Sequence, residues 1–211
     1  MNEMNEKILT AAQMAACDQH TIEVIGIPSL VLMERAALKT AEVIQEHADG
    51  HKILVVCGTG NNGGDGLAVT RLLYLAGYDV TAVLLGDPDK ASAQTKTQLK
   101  IVNYYEIPVF DKLPNLAEFT MIVDAIFGIG LSRPITGELA QVITQLNDAQ
   151  AEKFAVDMPS GIHADTGDIL GVAFKADITV TMAYKKVGQT ENDGITYAGE
   201  VLPVDIGVYQ E

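Results

Sequence analysis

The chain has 211 residues, of which 28 are acidic and 14 basic, giving a formal net charge of −14 with 48% hydrophobic residues. That length is expected to form one domain spanning residues 1–211 and to bury roughly 70% of its unfolded surface. The negative field repels nucleic acid and anionic membranes at long range, which argues against an RNA-binding module but leaves room for a small anionic ligand held by local N–H groups. No apolar run reaches the length needed to cross a membrane. Met1–Lys7 lacks the charged-then-apolar order of a signal peptide, so a cytoplasmic protein is expected. Cys17 and Cys57 lie in no CxxC or His-paired motif and read as buried, reduced thiols.

Thr10-Ala-Ala-Gln13 matches a capping box and predicts a helix to about Thr21. After Gly26-Ile-Pro28, Ser29 is expected to cap a longer helix with Leu30, Met33, Ala37, Ala41 and Ile44 on one face. Strands and helices then alternate: strand 52–57, helix 64–76, strand 80–85, helix near 90–105, strand 119–125, helix 137–147 and strand 153–157. Short strand candidates follow at 176–182 and 200–206. Such alternation predicts right-handed βαβ units, a mostly parallel central sheet, and a three-layer α/β/α Rossmann-like sandwich preceded by an N-terminal helical arm.

Between strand 52–57 and its helix stands Gly58-Thr-Gly-Asn-Asn-Gly-Gly-Asp-Gly66. Backbone N–H groups converge at such a strand-to-helix turn and favour an anion, and glycine admits close approach of a ligand. Asn61, Asn62 and Asp65 add donors, acceptors and a charge that phosphate binding alone does not need. Gly58-x-Gly60-x-x-Gly63 also satisfies the dinucleotide fingerprint, a weak signal by itself; Asp79 and Asp87 bracket the next strand, so the fingerprint's requirement for an acidic ribose partner does not fail outright. A P-loop is excluded, because no Lys-Ser or Lys-Thr closes the turn.

Two further strands end on an aspartate: Met121-Ile-Val-Asp124 and Phe154-Ala-Val-Asp157. Ligands of open α/β sheets sit outside the carboxyl ends of the strands, so loops 58–66, 124–137 and 157–168 are expected to meet there. For Asp124 alone, capping the following segment is an equal explanation. Ser160, His163 and Asp157 fall within one short loop and cannot orient one another as a hydrolase triad. His20, His47 and His51 lack zinc-ligand spacing; two carboxylates with Asn and Ser oxygens suit a hard cation better.

Leu32-Met-Glu-Arg-Ala36, the run Cys57–Gly66, Val123–Gly137, Ala155–Gly167, Ala176–Thr181, Lys185-Lys-Val-Gly188 and the segment Gly199–Gly207 stand in an order that resembles the YjeF N-terminal domain family, the NAD(P)H-hydrate epimerases. The resemblance covers nearly the whole chain; Ala37 replaces a frequent glycine, and loop 189–198 matches poorly. It implies epimerisation of the R and S forms of hydrated NADH and NADPH, so that the nicotinamide nucleotide is substrate and not cofactor. It further implies substrate contacts from Asn61, Asn62, Gly63, Gly64 and Asp65, from Gly128, Ile129, Gly130, Leu131, Ser132, Arg133 and Pro134, and from Asp157, the expected catalytic residue. Asn62, Asp124 and Ser160 would hold one potassium ion per subunit. A homodimer and functional partnership with a separate dehydratase are also implied, with no fused dehydratase domain expected. Because some eukaryotic relatives serve as scaffolds or binding partners, a non-catalytic nucleotide- or protein-binding module of the same fold is the alternative. From chemistry alone, Asp65 either shares the proton transfer or stabilises a helix start, and Arg133 and Lys185 suit phosphates better than the reacting ring.

Overall fold

In the computed structural model, which describes residues 7–209, the six expected strands and one unforeseen short strand, Val109–Phe110, assemble into one seven-stranded sheet. The elements in chain order are β1 (Ile8–Leu9), α1 (Ala11–His20), α2 (Ser29–Gln45), β2 (Lys52–Cys57), α3 (Asn61–Leu75), β3 (Asp79–Leu84), α4 (Ala93–Tyr104), β4 (Val109–Phe110), β5 (Met121–Ala125), α5 (Gly137–Asp148), β6 (Glu152–Val156), β7 (Ile178–Met182), β8 (Lys185–Lys186), α6 (Gly194–Tyr197) and β9 (Glu200–Val204). The sheet order is β4-β3-β2-β5-β6-β7-β9, and each pairing is parallel. β1 and β8 form a separate parallel pair, with Ile8 opposite Lys185 and Leu9 opposite Lys186. These two short strands escape period-based reading because two residues carry no period.

Alternation along the strands divides the core. Ile53, Val55 and Cys57 of β2 face α1, α2, α3 and α4 together with Leu67, Val69 and Ile44. Leu54 and Val56 face the other way, toward Ile143 and Leu146 of α5, Phe119 and Phe174. One face therefore carries most of the helices, and the second is covered by α5 and irregular chain. The α/β/α reading holds, with unequal outer layers.

α1 begins as expected: Thr10 Oγ1 accepts from Gln13 N at 3.2 Å, and Gln13 Oε1 accepts from Thr10 N at 2.9 Å. A π turn, Thr21–Ile25, continues it. Two expectations are corrected. Pro28, not Ser29, precedes the first residue of α2, and Ser29 Oγ instead accepts from Gln94 Nε2 at 2.9 Å. Leu30 is exposed at 38%, while Leu32, Ala36 and Thr40 join Met33, Ala37, Ala41 and Ile44 on the buried face.

The glycine run is also more helical than expected. α3 starts at Asn61, so Asn61–Gly66 are its first residues and only Gly58–Gly60 form the turn. The reason is steric. A side chain at Gly63 would put its Cβ against the Gly58 carbonyl oxygen, and one at Gly66 would meet Ala125 and Cys57 at 2.4 and 2.8 Å. These glycines let a helix start directly over the ends of β2 and β5.

Candidate active site

The carboxyl ends of β2, β5, β6 and β7 lie along one sheet edge, beside a cavity of about 550 Å³. Its wall includes Asn61, Asn62, Asp65, Gly128, Ile129, Gly130, Leu131 and Asp157, as the three-loop expectation requires. It also includes Asp18 of α1, Met182 of β7 and Lys186 of β8, which the sequence reading did not assign to it.

Asp157 follows β6 by one residue and has φ of 68°, in the left-handed region that aspartate tolerates better than most residues. The conformation is held from several sides. Asp157 N donates to Val180 O at 2.8 Å, and Gln189 Nε2 donates to Asp157 O at 2.8 Å. Its Oδ1 accepts from Lys186 Nζ at 2.5 Å and from Met182 N at 3.2 Å. Lys186 is fully buried, and its ammonium also donates to Thr181 Oγ1 at 2.8 Å and Met182 O at 3.0 Å. Three acceptors thus satisfy all three of its protons. Among the described residues, Oδ2 of Asp157 accepts no hydrogen bond. A Cβ built on Gly128 would lie 3.3 Å from both that Oδ2 and Asn62 Oδ1, so the missing side chain at Gly128 keeps the space between them open.

Asn62 is 9% exposed, and its Nδ2 is buried without a partner among the described residues. A buried amide donor left unpaired next to a cavity is aimed at something that enters it. Asp65 is half-buried in the same wall. Burial, then Asp157 and Asp18, push its carboxyl well above the usual carboxylate range.

Asp124 is fully buried one residue before the end of β5. Its Oδ1 accepts from Ile126 N at 3.1 Å and Ser160 Oγ at 2.7 Å, and its Oδ2 accepts from Ser160 N at 2.7 Å. Burial pushes its carboxyl up to about 6, against the downward pull of these hydrogen bonds. No lysine, arginine or histidine pairs with it among the described residues. Ser160 is fully buried and spent on Asp124, and His163 Nδ1 accepts from Asp165 N at 3.3 Å, so the two do not form a hydrolase pair.

Other expected site residues fall elsewhere. Gly63 and Gly64 are buried in packing, Gly64 against the Met33 side chain and Thr95 Oγ1. Ser132, Arg133 and Pro134 are exposed and lie outside the cavity wall. Asp79 and Asp87 are exposed as well and lie outside the cavity wall, Asp79 at the start of β3 and so at the opposite edge of the sheet; Asp87 accepts from Asp89 N at 3.0 Å and pairs with Lys90. Of the two adjacent lysines, Lys186 and not Lys185 reaches the site, because it is the inward residue of β8. The Lys185-Lys-Val-Gly188 motif was the available signal, but which lysine points inward depends on pairing with β1.

Residues 29–188 match the model of the family described as YjeF-related protein N-terminus. The chain belongs to that family. Relatives within the YjeF-related family include the NAD(P)H-hydrate epimerase of Levilactobacillus brevis, 51% identical over 206 residues covering 97% of this chain and 96% of that one. The NAD(P)H-hydrate epimerase of Limosilactobacillus fermentum is 51% identical over 208 residues, covering 98% and 100%. The crystal structure of yeast ynu0 superposes with a TM-score of 0.79 at 25% identity, covering 87% of this chain and 83% of that one. The alignment with the two epimerase relatives extends beyond the matched segment and takes in α1 and β9 on either side of it.

Proposed function

We infer that this protein is an isomerase that interconverts the R and S forms of hydrated NADH and NADPH, a repair step for damaged nicotinamide nucleotide. The observation in the structure that carries the chemistry is Asp157: a carboxylate anchored through Oδ1 with Oδ2 turned toward open space beside Asn62. The full-length epimerase relatives supply the substrate class.

The reacting carbon bears a hydroxyl and the ring nitrogen, so its C–H bond has no unusual acidity. Epimerisation goes instead through loss of the hydroxyl as water, assisted by the nitrogen lone pair, and re-addition from the other face of an iminium-like cation. Asp157 supplies negative charge beside that cation and an oxygen for proton transfer. Lys186 does not deliver a proton to the ring, since its three protons are committed to Asp157 Oδ1, Thr181 and Met182, and its charge is offset by its ion pair with Asp157. Asn61, Asn62 and Asp65, with the backbone of Gly128–Leu131, hold the nucleotide in the cavity.

The donor set of Asn62, Asp124 and Ser160 is all oxygen and fits a monovalent cation: Asp124 is a buried carboxylate met only by neutral donors. Potassium there would supply positive charge that holds Asp124 ionised and draws the start of α3 and loops 124–137 and 157–168 together. Replacing potassium by a bulky organic cation at equal ionic strength is expected to lower the thermal midpoint of the native protein, by linkage to a ligand of the folded state. The shift should vanish in Asp124→Ala; equal midpoints in both salts would remove the ion from this site.

A homodimer and cooperation with a separate dehydratase complete the proposal. The decisive assay supplies the pure R form with a dehydratase that consumes only the S form and follows the appearance of NADH. The native protein should speed the trace above spontaneous epimerisation, and Asp157→Asn should lose on the order of 10²-fold or more in turnover with little change in affinity. A native protein that leaves the trace at its spontaneous rate would overturn the assignment.

A further inference from the structure

α1 precedes the first residue of the family match, yet it supplies part of the cavity wall through Met14 and Asp18. Three ties hold this arm over the sheet edge. β1 pairs with β8, the strand that carries Lys186. Ala11 N donates to Asp165 Oδ1 at 2.6 Å, and Tyr209 N donates to Thr21 Oγ1 at 2.7 Å. The arm is therefore part of the site and not a detached extension.

Asp18 is half-buried, and among the described residues its carboxylate accepts no hydrogen bond and joins no ion pair. It is the eighth residue of a helix that starts at Ala11, so it caps nothing. No donor or cation among the described residues fixes this carboxylate, so no contact within the fold accounts for its place on the cavity wall. Asp18 instead shares a cavity with Asp157, Asp65 and Lys186, and it enters from the helical arm while Asp157 enters from the sheet edge. Inversion at carbon needs a proton given on one face of the ring and taken on the other. A single carboxylate on one wall serves one face.

We propose that Asp18 is a second catalytic residue, which exchanges a proton with the ring hydroxyl from the arm side while Asp157 serves the sheet side. This rests on the epimerase reading above. In one direction the Asp18 carboxyl gives its proton to the hydroxyl. The C–O bond breaks, water departs, and the nitrogen lone pair forms the C=N bond of the cation. Water then adds to the opposite face, the C=N electron pair returns to nitrogen, and the proton released by that water passes to Asp157 Oδ2. The reverse direction exchanges the two roles, and proton exchange through water in the cavity resets the pair. Atoms and charge balance without a further reactant.

The electrostatics agree with the geometry. Burial and then Asp157 push Asp18 up to about 6, with Lys186 pulling it down, which places it where it both gives and takes protons near neutral pH. Asp65 is pushed well above its ordinary value by burial, Asp157 and Asp18, and is better suited to donating a fixed hydrogen bond.

The test compares native protein, Asp18→Asn and Asp18→Glu in the coupled assay from pH 5 to 8. Asp18→Asn is expected to lose on the order of 10²-fold in kcat with KM changed less than about threefold, and to lose an inflection near pH 6 that the native protein shows. Asp18→Glu should recover a substantial part of kcat together with that inflection. Three results would overturn the proposal: kcat within about threefold of native for Asp18→Asn, a loss confined to KM, or an unchanged pH profile. An inactive native protein would instead overturn the epimerase reading, and this proposal with it.

Discussion

At the scale of single residues, the site concentrates groups that a stability-driven fold would not place together. Asp18, Asp65 and Asp157 share one cavity with a single buried ammonium, Lys186. This arrangement costs stability, and the sign can be worked out for Asp18. Its folded-state value of about 6 lies above the ordinary 3.8, so the folded protein binds the proton more tightly than the unfolded chain. Stability contributed by that proton is present below about pH 4 and is lost as pH rises through 6. At neutral pH the ionised Asp18 therefore opposes folding. Asp18→Asn should raise stability at pH 7 by on the order of 1 kcal/mol, less than the full shift implies because part of the group remains in solvent. At pH 4 the two proteins should have the same denaturant midpoint. Urea unfolding at both values decides it, and a less stable Asp18→Asn at pH 7 would show that the carboxylate has a structural partner after all. Stabilisation with loss of turnover is the expected exchange at a functional position.

Among elements, α3 determines how closely the nucleotide can approach the sheet edge. Its first turn contains two glycines with different neighbours from Gly60, which precedes it. Gly63 has no room for a Cβ because the Gly58 carbonyl stands in its place, whereas a Cβ at Gly60 meets nothing within 4 Å. Gly63→Ala should therefore force α3 away from the turn and cost roughly 3 kcal/mol. Gly60→Ala should change stability by no more than about 0.5 kcal/mol. Chemical denaturation of the two variants checks the pair, and equal effects would mean that the helix start is not under steric control. The same comparison separates glycines that shape the scaffold from residues that face the ligand. In this run Asn61, Asn62 and Asp65 line the cavity, and Gly63 and Gly64 allow them to do so.

For the whole molecule, the arm and the helix after it leave an apolar surface exposed. Val24 and Ile25 are 71% and 52% exposed, and Val31 and Leu38 on α2 are 45% and 42% exposed. Ile27, in the same stretch, packs partly against the core instead. Large apolar side chains exposed on one short stretch suit an interface, and the proposed twofold dimer would cover them. Light scattering should give about twice the 22.6 kDa chain mass at micromolar concentration. Val31→Asp should shift it to the monomer without unfolding the chain, since the side chain already faces solvent. A native monomer mass would reject the dimer.

Local signals in the sequence determined the alternating elements, the parallel sheet and the sheet edge where the ligand sits. Apolar runs, Thr10–Gln13 and the glycine run act over a few residues, and their physics is complete within that distance. Asp124 and Asp157 were legible for the same reason, because an aspartate that ends an apolar strand is placed by the strand itself. Asp18 and Lys186 were not. Nothing near Asp18 distinguishes it from a solvated helix residue until α1 folds back over the sheet, tied by Ala11 to Asp165 and by Thr21 to Tyr209. Lys186 reads as one of two surface lysines until β8 pairs with β1 and turns it inward to Asp157. Burial, charge pairing and facing direction depend on contacts between residues more than a hundred positions apart, and only the tertiary structure supplies them.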